Sequence, residues 1–239
     1  MVELKAFRDN IGLVVLSRPH RKNALDRPDL DLLYSYILEA SRTFDAVILT
    51  GSGDSFCSGA DLHSLAIMDR TELEKWINDG IKIIEVMEEA SIPFIAAVNG
   101  VALGGGLELA LACDYVYAVK DAKMGFPEIK LGWIPGWGGI TRLLARTGLG
   151  KAREILTMGD YISASEAFEI GLIDGMAEDS DLLEVSYEVA QRVIRHKHAF
   201  ASIKSIINEF TKHHSYRYTK ISIDLMMSDL ARLSLGRYK

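Results

Sequence analysis

Three consecutive glycines, Gly104–Gly106, stand directly before a run with helical character, Leu107–Ala112, that carries Glu108. Removing three side chains lets a ligand reach the backbone, and the first turn of a helix presents N–H groups with no partner inside the helix. Those donors, aided by the positive end of the helix dipole, suit an anion or an oxygen that becomes negative during a reaction. The same glycines would equally serve a helix that packs close against a strand. Two further segments stand out: Phe56-Cys-Ser-Gly-Ala-Asp-Leu62, after an expected strand, and Phe126-Pro-Glu-Ile-Lys-Leu-Gly-Trp-Ile-Pro-Gly-Trp-Gly-Gly139, which contains Glu128. Taken singly, Glu108 is what a helix start favours and Glu128 what a solvated loop carries.

Other glycine-based chemistries fail on spacing. A dinucleotide fingerprint from Gly104 would need glycine at Leu109, and one from Gly136 would need it at Thr141. A phosphate loop ending at Gly150-Lys151 would need glycine at Ala145 and a hydroxyl at Ala152. A serine nucleophile elbow at Ser58 would need glycine at Phe56. His196 with His198, and His213 with His214, come with no cysteine or carboxylate in a recognised ligand spacing, so no metal site is expected.

These segments must be positioned by surrounding elements, and the pattern of the chain supplies them. A hairpin is expected with its turn at Asn10-Ile11-Gly12, then a helix over 29–41 and a buried strand over 46–50. The spacing of Leu73, Trp76, Ile77, Ile84 and Met87 predicts an amphipathic helix over 71–90, capped by Thr71 with Glu74 completing a capping box. Strand, glycine turn, helix and strand then follow over 93–98, 99–106, 107–112 and 115–119. Beyond Gly148 the pattern is helical over 151–158, 163–169, 181–196, 200–209 and from Tyr216 onward. Strand–turn–helix units at irregular spacing indicate an α/β fold with helices around short buried strands. The expected organisation is one structural unit, a core over 1–148 and a C-terminal helical lobe over 149–239.

Composition narrows the class. The 239 residues are 49% hydrophobic and 25% charged, with a net charge of −6, which argues against a nucleic-acid surface. No apolar stretch approaches the length of a membrane span, and the N-terminus has no signal pattern. Cys57 and Cys113 form no disulfide framework and read as small buried hydrophobes, so a reducing cytoplasmic setting is expected.

Together the three segments, with Leu16-Ser-Arg-Pro-His-Arg-Lys-Asn-Ala-Leu25, resemble the enoyl-CoA hydratase/isomerase (crotonase) family over roughly residues 2–210. The resemblance implies a spiral of ββα repeats with the C-terminal helices outside it. It implies that the N–H groups of Ala60 and Gly105 bind the thioester carbonyl of an acyl-CoA as an oxyanion hole. Glu108 and Glu128 fall at the positions of the hydratases' two glutamates, one activating water and the other delivering a proton to Cα. Carboxylates suit this, because one stays ionised while burial and its neighbour's charge raise the other's pKa. Ala24, Asp61, Leu62, Gly136 and Trp137 would contact substrate, with Trp133 beside Trp137 along the acyl pocket, and Arg21 and Lys22 would face the CoA phosphates. Coenzyme A comes as part of the substrate and no separate cofactor is implied; the family typically forms trimers or hexamers.

Hydration of a 2-enoyl-CoA is therefore the expected activity. Δ3,Δ2-enoyl-CoA isomerisation or another crotonase-type chemistry such as decarboxylation is the alternative. A silent acyl-CoA-binding or RNA-binding member is a further one, against which the glutamate pair speaks. His63 stands where many members carry lysine, and Leu230–Lys239 lacks the family's usual ending, whose helices help cover the acyl-CoA.

Overall fold

The computed structural model describes residues 1–209 and 215–238, so His213 and His214 lie outside the described residues. An antiparallel hairpin, β1 (Val2–Ala6) and β2 (Ile11–Leu16), opens the chain and is followed by helix α1 (Arg27–Thr43). The hairpin turn lies earlier than the sequence suggested. Asp9 and Asn10 take the left-handed backbone (φ 46° and 59°), which short polar side chains tolerate, while Ile11 is fully buried as the first residue of β2.

A strand–strand–helix unit then recurs. It comprises β3 (Ala46–Gly51), β4 (Ser55–Cys57), α2 (Leu62–Ile67) and α3 (Arg70–Glu89). Next come β5 (Phe94–Val98), β6 (Val101–Leu103) and α4 (Gly105–Ala112). The third unit is β7 (Tyr115–Val119), β8 (Lys123–Gly125), a 3₁₀ turn over Pro127–Leu131 and α5 (Gly139–Met158). The remainder holds β9 (Ile162–Ser163), α6 (Ala164–Glu169), β10 (Gly175–Ala177), α7 (Leu182–Ile194), α8 (Lys197–Glu209), α9 (Ser215–Met226) and α10 (Asp229–Leu235).

In each unit the longer strand joins one sheet and the short strand another. The large sheet runs β1-β2-β3-β5-β7-β10, parallel throughout except at the hairpin; the small sheet runs β4-β6-β8-β9, antiparallel only at β8–β9. This is the expected ββα spiral. β3 and β5 are apolar runs rather than alternating strands because both faces are covered, with α7 packed on the large sheet.

Several local expectations change. The N-cap of α3 is Asp69, not Thr71. Its carboxylate accepts the Glu72 N–H (2.8 Å) and Glu72 accepts the Asp69 N–H (3.0 Å). Glu74 instead pairs with Arg70 one turn back at 3.0 Å. Both candidate boxes end in glutamate, and the aspartate lies nearer the first turn that needs its donors satisfied. Helix α5 begins at Gly139 rather than Lys151, and Gly148 (φ 76°, ψ 169°) bends it. The strands β9 and β10 arise in a stretch that reads as helical, and they edge both sheets. Two or three residues are too few for a period to show.

Lys204 on α8 is 4% exposed and donates to Met87 O, Ile92 O and the Asp114 carboxylate, tying the C-terminal helices to the core. Among the described residues no helix is long and apolar enough to cross a membrane.

Candidate active site

A cavity of about 440 Å³ lies where the turns after β4, β6 and β8 converge on α4. The turn after β4 carries Ala60. Leu25 donates its N–H to Gly59 O and accepts the Asp61 N–H, both at 2.8 Å, in a parallel bridge. Leu25 thus bonds to the residues flanking Ala60, which turns the N–H of Ala60 itself to the opposite side. Asp61 holds this turn: its carboxylate caps α2 by accepting from His63 and Ser64 N–H, and Arg18 pairs with it at 3.2 Å.

The turn after β6 carries the glycine triplet. Gly104 has φ 51° and ψ −125°, and no side chain caps α4, so Gly105 stands at the first position of the helix with its N–H outside the helical ladder. Close approach explains the glycines. A Cβ on Gly106 would lie 2.1 Å from Cys57 O, and one on Gly59 would lie 3.2 Å from Gly105 N. The Ala60 turn and the start of α4 are therefore in direct contact, and both residues line the cavity.

Glu108 lies one turn into α4 and is 2% exposed. Its Oε1 accepts the N–H groups of Trp137 and Gly139, each at 2.7 Å. Burial pushes its carboxyl up to about 7, opposed by those two N–H donors and by the charge of Arg142. Glu128, in the 3₁₀ turn after β8, is 7% exposed, and its Oε2 has no hydrogen-bond partner among the described residues. Burial, followed by the charge of Glu108, holds its carboxyl well above the usual carboxylate range. The site thus holds two buried carboxyls whose neutral forms burial favours, Glu108 with two N–H donors that favour its ionised form and Glu128 with the charge of Glu108 against ionisation. Beside them are two backbone donors able to hold a developing negative oxygen. This combination suits addition to, or proton transfer at, a carbon next to a carbonyl.

The structure brings Arg21, Ala24, Ala60, Asp61, Leu62, Gly105, Glu108, Glu128, Gly136 and Trp137, with Trp133, to this one cavity. Lys22 does not line the cavity. It is the left-handed residue (φ 50°) closing the turn after Pro19, and its carbonyl accepts the Ser58 N–H.

Sequence reasoning missed several lining residues. Trp76 of α3 packs on Trp137 at 4.7 Å between ring centroids, and its only signal was a place on the apolar face of the helix. Ser222 and Met226 of α9 and Tyr238 close the cavity from the C-terminal side, with Ser222 Oγ donating to Ile134 O (3.0 Å) and Tyr238 edge-on to His63. The unusual ending therefore still covers the site. Among the described residues no group of three histidines, cysteines or acidic residues could hold a metal ion.

Residues 6–235 match the family model for enoyl-CoA hydratase/isomerase. The chain is 38% identical over 187 residues to a short-chain-enoyl-CoA hydratase of Clostridium acetobutylicum, covering 77% of this chain and 72% of that protein. It is 36% identical over 189 residues to a crotonyl-CoA hydratase of Syntrophomonas wolfei, covering 78% and 73% respectively. The crystal structure of an enoyl-CoA hydratase from Bacillus anthracis is similar with a TM-score of 0.83 and 31% identity, over 95% of this chain and 92% of that one.

Proposed function

The chain belongs to the enoyl-CoA hydratase/isomerase family and is an enoyl-CoA hydratase, a hydro-lyase; we propose that Glu108 and Glu128 perform the hydration between them. The observation that carries the reading is the unequal pair of buried carboxyls in one cavity with the Ala60 and Gly105 donors. The substrate thioester oxygen sits against those two N–H groups. Glu108, its Oε1 occupied by backbone donors, takes a proton from water with Oε2. The water oxygen bonds to Cβ, the electron pair of the double bond moves toward the thioester oxygen as an enolate, and Cα takes the proton of Glu128. A proton then passes from Glu108 back to Glu128 through solvent, so that one water is added and the enzyme is unchanged.

Two fixed donors stabilise charge present only in the transition state, which contributes about 3–4 kcal/mol for one such donor. Trp133, Trp137, Ala24, Leu62 and Gly136 shape the acyl and thioester space, with the Asp61 backbone beside them, and Arg21 at the mouth attracts the CoA phosphates. The proposal extends to a cytoplasmic enzyme of acyl-CoA and fatty-acid metabolism, supported by the free, buried thiols of Cys57 and Cys113. It extends also to a trimer or hexamer, supported by the exposed row Ile203, Ile206 and Ile207 on α8.

The test is a panel of 2-enoyl-CoA thioesters followed by loss of the conjugated absorbance, with 3-enoyl-CoA isomerisation measured alongside. Glu128→Gln should lose both activities, because both need the proton at Cα; Glu108→Gln should lose hydration alone. A wild type that isomerises but never hydrates at any chain length would refute these roles for the two glutamates.

A further inference from the structure

Glu108 does not choose its own orientation. One of its oxygens is fixed by the N–H groups of Trp137 and Gly139, so the carboxylate points wherever that short segment places it. The segment is a glycine-rich turn with φ of +87° at Gly138, a conformation with little intrinsic preference for one geometry. Something outside it must hold it, and one side chain does. Arg142, a turn into α5, donates from Nη1 to Trp137 O at 2.7 Å. Its guanidinium lies so close beneath the turn that a Cβ on Gly138 would meet Nη1 at 2.5 Å. The opposite edge is braced by Glu88 of α3, whose Oε1 accepts from Nε (2.9 Å) and Nη2 (2.6 Å). Both side chains are nearly buried, at 12% and 11% exposure, so the pair is well shielded from solvent and counter-ions.

We propose that Arg142, braced by Glu88, is a positioning residue for Glu108: it fixes the Trp137–Gly139 turn whose N–H groups hold one carboxylate oxygen, leaving the other directed at the reacting water. This rests on the reading of Glu108 as the group that activates water. The chain of contacts runs from α3 through α5 to the turn and then to α4, so it joins three elements that share no backbone hydrogen bond. It has an electrostatic side as well, since the positive charge of Arg142 favours the ionised form of Glu108. Among the described residues the charged groups acting on Glu108 include Arg142 from α5 and Glu128 from the 3₁₀ turn; Glu88 pairs with Arg142, and Asp114, Arg146 and Lys204 line the same neighbouring cavity as that pair.

Arg142→Gln, Arg142→Lys and Glu88→Gln separate position from charge in the crotonyl-CoA hydration assay. Arg142→Gln should lower kcat about tenfold or more with KM within about twofold, as expected of a misplaced reacting group. It should also move the acid limb of the kcat–pH profile up by about one unit, because a nearby positive charge is lost. Arg142→Lys keeps the charge and loses the fork, so kcat should fall while the limb stays near wild type. Glu88→Gln should move the limb the other way, since it removes a negative charge. If Arg142→Gln fails to fold because Glu88 is stranded, the neutral double variant Arg142→Gln/Glu88→Gln replaces it, with the same loss in kcat expected. A folded Arg142→Gln or double variant with wild-type kcat and an unmoved limb overturns the inference. Wild type and Glu108→Gln run beside it keep the two readings apart. Loss of turnover in Glu108→Gln with a silent Arg142→Gln sinks the positioning role alone, whereas full turnover in Glu108→Gln sinks both.

Discussion

Replacing Glu108 by glutamine should make the protein more stable while nearly abolishing its activity, and the gain should depend on pH in a defined direction. Burial holds the Glu108 carboxyl at about 7 in the folded protein, against an ordinary value of 4.5. A carboxyl whose folded pKa is raised destabilises the fold wherever the unfolded chain would ionise it. The penalty is complete above the folded pKa, fades as pH falls through 7, and is gone below 4.5. The rise of about 2.5 units at about 1.4 kcal/mol each corresponds to roughly 3 kcal/mol at pH 8. Glutamine removes the penalty and still offers an oxygen to the Trp137 and Gly139 N–H groups, so about 2–3 kcal/mol should appear as added stability. In a chain of this size that raises Tm by about 4–10 °C. Thermal unfolding of both proteins at pH 8, 6 and 4.5, at one fixed protein concentration, reads the effect; the two Tm values should converge at the lowest pH. Turnover of crotonyl-CoA should fall by about 10²–10⁴. A glutamine variant no more stable than wild type at pH 8, or a difference independent of pH, would refute the view that Glu108 is kept ionisable at the expense of stability.

Gly105→Pro removes one of the two proposed oxyanion donors at a helix position that tolerates proline, and should cut turnover by about 10²-fold or more. Gly105→Ala is its control, because a Cβ there already presses on Trp137 at 2.9 Å while the N–H is kept; equal turnover of the two would remove that donor from the mechanism. Arg21→Gln should raise KM for the CoA substrate with kcat unchanged and weaken its salt dependence, whereas Lys22→Gln should do neither; steady-state kinetics at two ionic strengths decide. Lys204→Met strands the Asp114 carboxylate, whose pKa burial already raises, and should cost about 3–5 kcal/mol in urea unfolding with kcat unchanged in the folded protein; a loss below about 1 kcal/mol would show the pair to be dispensable.

Much of this architecture is legible in the chain because it is locally dictated. The apolar runs of β3 and β5, the apolar spacing of α1 and α3, and the glycines that must admit a neighbouring backbone all leave their mark in consecutive residues. The segments around Ala60, Gly105, Glu108 and Glu128 are legible together for the same reason, since each is a turn whose geometry tolerates few residues. What tertiary structure alone decided is everything that depends on encounters between distant residues. Strands as short as β6, β9 and β10 exist because neighbouring strands offer partners for their hydrogen bonds, not because two or three residues prefer extension. The exclusion of Lys22 from the cavity, and the inclusion of Trp76 and Tyr238, follow from which side of a turn or helix meets it. The two glutamates differ in the same way. Nothing in their own segments says that Glu108 meets two N–H donors under the charge of Arg142 while Glu128 has an oxygen with no partner among the described residues. Electrostatics acts through space between residues far apart in the chain, so only the folded arrangement gives the two carboxyls different surroundings.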